Sequence, residues 1–447
     1  MNQPAPARLQ PVYTVPEDLQ DTVLLGPLDA ELNQGGKTFI GKVKVVQQWN
    51  PISAYIDFST DAADDIRFDM AEVKSSAFEC PVRVFVKQSS GIRAYWSGGV
   101  DIGTDHKLDR VTFQLPNYPD LFGGNDYQDT LTKGETTTSL RWSEVVLEAG
   151  EWRIVLQPHS DIFAMRQQAR ANGRVVLSGV GEIRRLDTQQ FKKGHVKPVL
   201  DALRLFLSFS FAEWCSPLFV VGSNAVATKS WQMWANYDVA PNSYLRGWVD
   251  ERHGQLLSEA FPGFFHLWQK DEWKEPLELA VTWLIEASRQ SGGTDGAIAF
   301  SQIPLEMLAW LVFVDHRTII EADEFDKLTA ASKIQMLFAH CGIPFDVPQG
   351  LSALATLAKK TSHTTGPQLV TKVRNTIIHP HEKNRSSIAV WEKAHGVKNN
   401  DVRWETQQLF RWYITLVLLS LIGYKGKYAN RLTPHKLGEV QPVPWAT

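Results

Sequence analysis

Val373-Arg374-Asn375-Thr376-Ile377-Ile378-His379-Pro380 closes an apolar helix, and the rest of the chain is read outward from it. Upstream, Thr364 or Thr365 can cap a helix start and Pro367 suits its first turn, while Leu369, Val370, Val373 and Ile377 recur at helical spacing. Pro380 lacks a backbone N–H and disfavours helix at the residue before it, so the helix should stop at about His379. On an ideal helix Arg374 and His379 point about 140° apart at ~100° per residue. Either the last turn unwinds at Pro380, or a second copy of the helix completes the pair across a dimer.

Around this stretch the rest of the chain falls into parts. Residues 1–24 form a polar arm rich in Pro and Gln, without the apolar core of a signal peptide. Residues 25–187 read as β: Thr38 to Val46 alternates over much of its length, as does Val82 to Lys87 before the turn signal Ser89-Ser90-Gly91. Further strands are expected at Val111 to Leu115, Ser139 to Leu147, Trp152 to Leu156 and Val175 to Leu186, which suggests an antiparallel sandwich or curled sheet. Residues 188–270 are mixed, with a helical stripe from Gln189 to Phe211 and a β-like piece at Leu218 to Val221. Residues 271–447 read as helices ending in a very apolar one, Glu405 to Ile422. Pro304 predicts a kink or a new first turn inside the helix that begins near Ala297. The fold class is therefore α+β, a β-rich antiparallel front followed by an all-α bundle.

Bulk properties exclude several functions. A hydrophobic share of 43% with 21% charged residues suits a soluble globular protein, and a net charge of −3 argues against general coating of nucleic acid. Cys80, Cys215 and Cys341 are odd in number and widely spaced, so neither a disulfide frame nor a zinc site is expected, and a reducing cytoplasm fits. The run Trp412 to Gly423 is too short to span a bilayer, and no membrane partner is expected. Asp61, Asp64, Asp65 and Asp69 read as a solvated turn in preference to a metal site, and Gly179-Val180-Gly181 as a strand bend in preference to a phosphate loop. The sixteen tryptophans, Trp231, Trp234 and Trp248 among them, read mostly as core. Against this background Lys359 to Lys398 stands out: eight basic residues, including Lys372, Arg374, Lys383 and Arg385, face two acids, with His363, His379, His381 and His395 in the same interval. A basic island of this kind suits a phosphodiester backbone.

The arginine and histidine with four residues between them, and a polar residue after the arginine, resemble the Arg-x4-His signature of HEPN domains (higher eukaryotes and prokaryotes nucleotide-binding). The resemblance covers roughly residues 271–447, and a β-rich front before a helical end is similar to the ApeA-type anti-phage abortive-infection proteins. It implies a metal-independent endoribonuclease without a cofactor, a homodimer through the helical domain, and a host RNA substrate such as tRNA. It further implies a front domain that senses a phage-protein trigger or restrains the toxin.

The chemistry needs few groups, because RNA carries its own nucleophile in the 2′-hydroxyl. His379 suits proton transfer near neutral pH, and Arg374 suits a clamp on two phosphate oxygens. Asn375 would bond the histidine or the phosphate, and the expected product is a 2′,3′-cyclic phosphate. Lys372, His381, Lys383 and Arg385 are candidate substrate contacts, and Glu306, an acid among apolar residues, is a candidate for orienting the arginine or histidine. The competing expectation is a non-catalytic HEPN protein that binds a nucleotide or a partner, with a ligand-sensing β domain.

Overall fold

A computed structural model describes the chain except residues 1–5, 17–19, 50–51, 97–98, 104–106, 134–135, 163, 166, 168–174, 227–228, 241–245, 380–389, 391–392, 395, 433–435 and 447. It is an α+β protein whose contacts divide it into two compact units. The first comprises residues 1–120, 124–204 and 215–243, and the second comprises residues 121–123, 205–214 and 244–447. The mixed region around residues 188–270 is thus shared between the two.

The first unit is built from antiparallel strands. Strands β1 (Thr22–Gln34), β2 (Lys37–Trp49), β3 (Ile52–Ser59), β4 (Met70–Ser75), β5 (Glu79–Gln88) and β6 (Gly91–Trp96) close into a barrel in the order β1-β2-β3-β6-β5-β4. Alternation drives much of it: Val43, Val45, Ile56, Phe58, Val82 and Val84 are nearly fully buried, while Lys42, Lys44, Asp57, Arg83 and Phe85 are more exposed. Gly35 and Gly36, both at positive φ, form the two-residue turn that joins β1 to β2. The turn signal at Ser89-Ser90 closes the β5–β6 hairpin.

Ten further strands and nine helices complete the described structure. An eight-stranded antiparallel sheet runs in the order β7-β14-β13-β8-β12-β11-β10-β9. Its members are β7 (Gly99–Gly103), β8 (Arg110–Leu115), β9 (Asn125–Lys133), β10 (Thr136–Ala149), β11 (Trp152–Pro158), β12 (Gly179–Arg185), β13 (Leu218–Ser223) and β14 (Lys229–Ala235). Gly179 and Gly181 lie in β12 for a packing reason: a Cβ at Gly181 would stand 2.1 Å from the Phe113 ring, and one at Gly179 would stand 2.6 Å from Tyr118. The supposed polar arm packs here too. Tyr13 donates its N–H to Gln114 Oε1 at 3.0 Å and lays its ring 5.3 Å from Phe219. The helix read from Gln189 onward is α1 (Lys193–Phe211).

The second unit is helical. It contains α2 (Gln255–Trp268), α3 (Asp271–Arg289), α4 (Gly293–Trp310), α5 (Ala322–Asp326), α6 (Ala330–Cys341), α7 (Ser352–Lys360), α8 (Gly366–Ile378) and α9 (Asn399–Leu421). The short strands β15 (Lys427–Tyr428) and β16 (Gln441–Pro442) close the chain. Helix α4 does not break at Pro304 but runs through it and continues as a π-helical turn, Leu311–His316. Segment 293–316 is also long and apolar enough to cross a membrane by length and composition, a span the shorter Trp412–Gly423 run does not reach, and most of its apolar window is buried within the protein. The acids Asp323 and Glu324 sit in the first turn of the separate helix α5, and Gly342 ends α6 in the left-handed conformation.

Helix α9 is the hub, buried on nearly all sides: Leu409, Phe410, Tyr413, Ile414, Leu416, Val417 and Leu419 are all sealed from solvent. Each such side chain contributes roughly 1.5–3 kcal/mol by burial. Its buried carboxylate has partners, while the buried Tyr413 hydroxyl has none among the described residues. Glu405 accepts the backbone N–H groups of Ala353 at 3.1 Å and Leu354 at 2.9 Å, so a carboxylate from α9 caps the start of α7.

Candidate functional site

The local grammar of α8 is formed as the residues dictate. Thr365 is the N-cap, accepting from Gln368 N while the Gln368 side chain reaches back to Thr365 N at 3.3 Å, a complete capping box with Pro367 in the first turn. Gly366 allows a close approach to the hub helix, since a Cβ there would stand 1.9 Å from the Tyr413 hydroxyl. The apolar stripe of Leu369, Val370 and Val373 is fully buried. At the other end the helix stops at Ile378, and His379 is extended (φ −93, ψ 123), its N–H still donating to Asn375 O at 3.2 Å.

Arg374 is half-buried, and its environment comes from α4 as well as α8. Nη1 donates to Asn375 Oδ1 at 3.4 Å, and Nε is buried without a partner among the described residues. Burial pushes the guanidinium below its ordinary pKa, and the Glu306 charge pulls it part of the way back. Glu306 is held by Gln302, whose Nε2 donates to Oε1 at 2.6 Å. The structure therefore brings Arg374, Asn375 and Glu306 together. Asn375 bonds the arginine, where the histidine or the substrate was expected. Gln302, which steers the carboxylate, has no local sequence signal beyond its one-turn spacing from Glu306.

His379 stands at the exposed end of the helix. Lys372, about 200° from Arg374 at ~100° per residue, turns to another face. There its charge, after burial, helps to lower the pKa of His363. His381, Lys383 and Arg385, together with Pro380 and most of the segment leading through Trp391, lie outside the described residues. Elsewhere, Trp231, Trp234 and Trp248 are buried and Cys80, Cys215 and Cys341 are buried free thiols. The acidic stretch from Asp61 to Asp69 wraps a 3-10 turn, and among the described residues no group of three His, Cys, Asp or Glu side chains is close enough to hold a metal ion.

These features define a two-unit α+β protein with a half-buried arginine, under the influence of the Glu306 charge, on the helix that ends at an exposed histidine. The chain is similar to the YopA central domain over residues 103–245 and to the YopA C-terminal domain over residues 270–441. A curated relative, the SPbeta prophage-derived uncharacterized protein YopA of Bacillus subtilis (strain 168), is 24% identical over 351 residues, covering 76% of this chain and 73% of the relative. No solved structure matches.

Proposed function

We propose that the helical unit is a metal-independent endoribonuclease acting as a growth-arresting effector in conflict with phage. The observation that carries the proposal is Arg374: a half-buried guanidinium with an unpartnered Nε among the described residues, desolvated and only partly balanced by Glu306, on the helix that ends at an exposed histidine. Desolvation strengthens its pull on a phosphate, and Asn375 and Glu306 limit the directions it can adopt.

In the proposed reaction the ribose 2′-oxygen loses its proton and attacks phosphorus, the bond to the 5′-oxygen breaks, and that oxygen takes up a proton. The product is a 2′,3′-cyclic phosphate and a free 5′-hydroxyl. His379 supplies one of the proton transfers and Arg374 holds the phosphate oxygens. No cofactor is required. The divergence of the two side chains around α8 favours a homodimer in which two copies share a cleft. The prophage origin of the Bacillus subtilis relative supports a setting in phage biology. Host RNA, tRNA in particular, is the proposed substrate, the cytoplasm the proposed location, and the β unit the proposed sensor or restraint for a phage-protein trigger.

The tie between Arg374 and two side chains of its own protein also favours a second reading, in which the helix binds a nucleotide or partner without catalysis. Incubation of total cellular RNA with wild type, Arg374→Ala and His379→Ala, in the presence of EDTA and with mapping of the ends, decides between them. Cyclic phosphate ends from the wild type alone support the nuclease. Identical RNA profiles from all three proteins overturn it.

A further inference from the structure

A second cationic centre lies in the helical unit and shares no residue with the Arg374 site. Arg246, Arg411 of α9 and Arg431 line a small cleft, open in part to solvent and walled by Trp248 and Trp412.

Among the described residues no carboxylate bonds Arg411 or Arg431 directly, although Asp250 and Glu251 act on Arg431 through their charge. Arg411 donates from Nε to Ser288 Oγ at 3.0 Å, from Nη1 to Gln408 Oε1 at 3.3 Å and from Nη2 to the Arg246 carbonyl at 3.0 Å, all uncharged acceptors. Arg431 donates from Nε to the Gly247 carbonyl and from Nη2 to the Val249 carbonyl, each at 2.7 Å. Since each terminal guanidinium nitrogen carries two hydrogens, both arginines retain unused donors. The nearby acid Glu213 is divided between Arg246 at 3.4 Å and Arg289 at 4.0 Å, and Asp250 accepts the backbone N–H groups of Arg252 and Gly438. Burial, then Arg246 and Arg431, drives the Arg411 pKa down to about 10 despite the opposing charge of Glu213. A structural role would be served by neutral side chains at lower desolvation cost. Three guanidiniums held close together by carbonyls suit a doubly charged anion, whose oxygens would take the unused N–H groups and offset the mutual repulsion.

We infer that this cleft binds a phosphoryl group, either as free phosphate or carried by a small molecule such as a nucleoside monophosphate. The inference does not depend on the nuclease proposal, because its residues and its readout are separate from those of Arg374 and His379.

The test is calorimetric titration and thermal melting of the full chain with inorganic phosphate, AMP and adenosine at constant ionic strength. Saturable binding of phosphate and AMP but not adenosine is expected, with a rise in melting temperature, and at least a tenfold loss of affinity in Arg411→Met. Tighter binding of AMP than of phosphate identifies an organic phosphate as the occupant, and equal binding identifies free phosphate. If Arg411→Met does not fold, Arg246→Gln, at a partly exposed guanidinium, should still weaken binding several-fold. Absence of saturable binding to either phosphate compound, equal binding of adenosine, or full affinity in the folded variants overturns the inference.

Discussion

Arg93, Arg184 and Arg185 of the β unit and Arg374, Arg411 and Arg431 of the helical unit are handled in opposite ways, although Arg246, Arg289 and Arg403 of the helical unit also meet carboxylates. In the β unit the guanidiniums are met by carboxylates. Burial pulls Arg93 down, but its hydrogen bond to Asp57 at 3.2 Å, together with the charges of Asp57, Tyr55 and Tyr95, more than offsets it. Glu182 holds Arg184 above its ordinary value, and Asp187, with Glu151, does the same for Arg185. In the helical unit burial wins: Arg374, Arg411 and Arg431 all fall below the ordinary value, and the direct partners found for them are neutral. A cation paired at a surface contributes little beyond local order. One desolvated among amides and hydroxyls carries a desolvation cost that no bonded carboxylate offsets.

The comparison can be broken at several points. The largest effect should come from Arg374→Ala and His379→Ala, each expected to lower RNA cleavage by about 100-fold or more while circular dichroism stays that of the wild type. Cleavage that survives both changes would remove the distinction where it matters most.

Next is stability at the α8–α9 contact. Gly366→Ala forces a methyl against the Tyr413 hydroxyl, which is buried without a partner among the described residues, and should cost about 1–3 kcal/mol. Tyr413→Phe in the same chain should recover part of that loss, a coupling measured by urea unfolding of both single variants and the double.

A matched pair then tests the arginines directly. Arg431→Ala strips the Gly247 and Val249 carbonyls of their donors in a buried setting and should cost about 1–3 kcal/mol. Arg93→Ala, whose pair with Asp57 is partly exposed, should cost no more than about 1 kcal/mol after solvent screening. Equal losses would mean that burial does not separate the two groups. The smallest effect is expected from Glu306→Gln, which keeps the side-chain shape and removes the charge. It should change RNA cleavage by only a few-fold, read as a shift in kcat without loss of fold.

The helical stretches with caps were legible from residues alone. Thr365, Pro367 and Pro380 bracket α8, and the alternation of Val43 and Val45 announces β2, because those signals are local. Others were present but conflicted. The Gly35-Gly36 turn marks a hairpin, yet β1 carries Gly26-Pro27 within it and breaks register between Leu25 and Leu28, so its period is lost. Helices α2, α3 and α4 each contain an interior proline, and in all three packing overrides the penalty that proline imposes in isolation. At the site, Glu306 was visible as an acid among apolar neighbours. Its approach to Arg374 depends on the packing of α4 against α8, and the convergence of Arg246, Arg411 and Arg431 has no sequence spacing at all.

The closed order of β1 to β6 has a consequence for recognition. Each of those strands already has two hydrogen-bonded neighbours, so no incoming peptide can lengthen that cylinder by donating a strand. Whatever the barrel meets must be read by its outward side chains. Main-chain pairing with a foreign segment is left, among the described residues of the larger sheet, to the margins at β7 and β9.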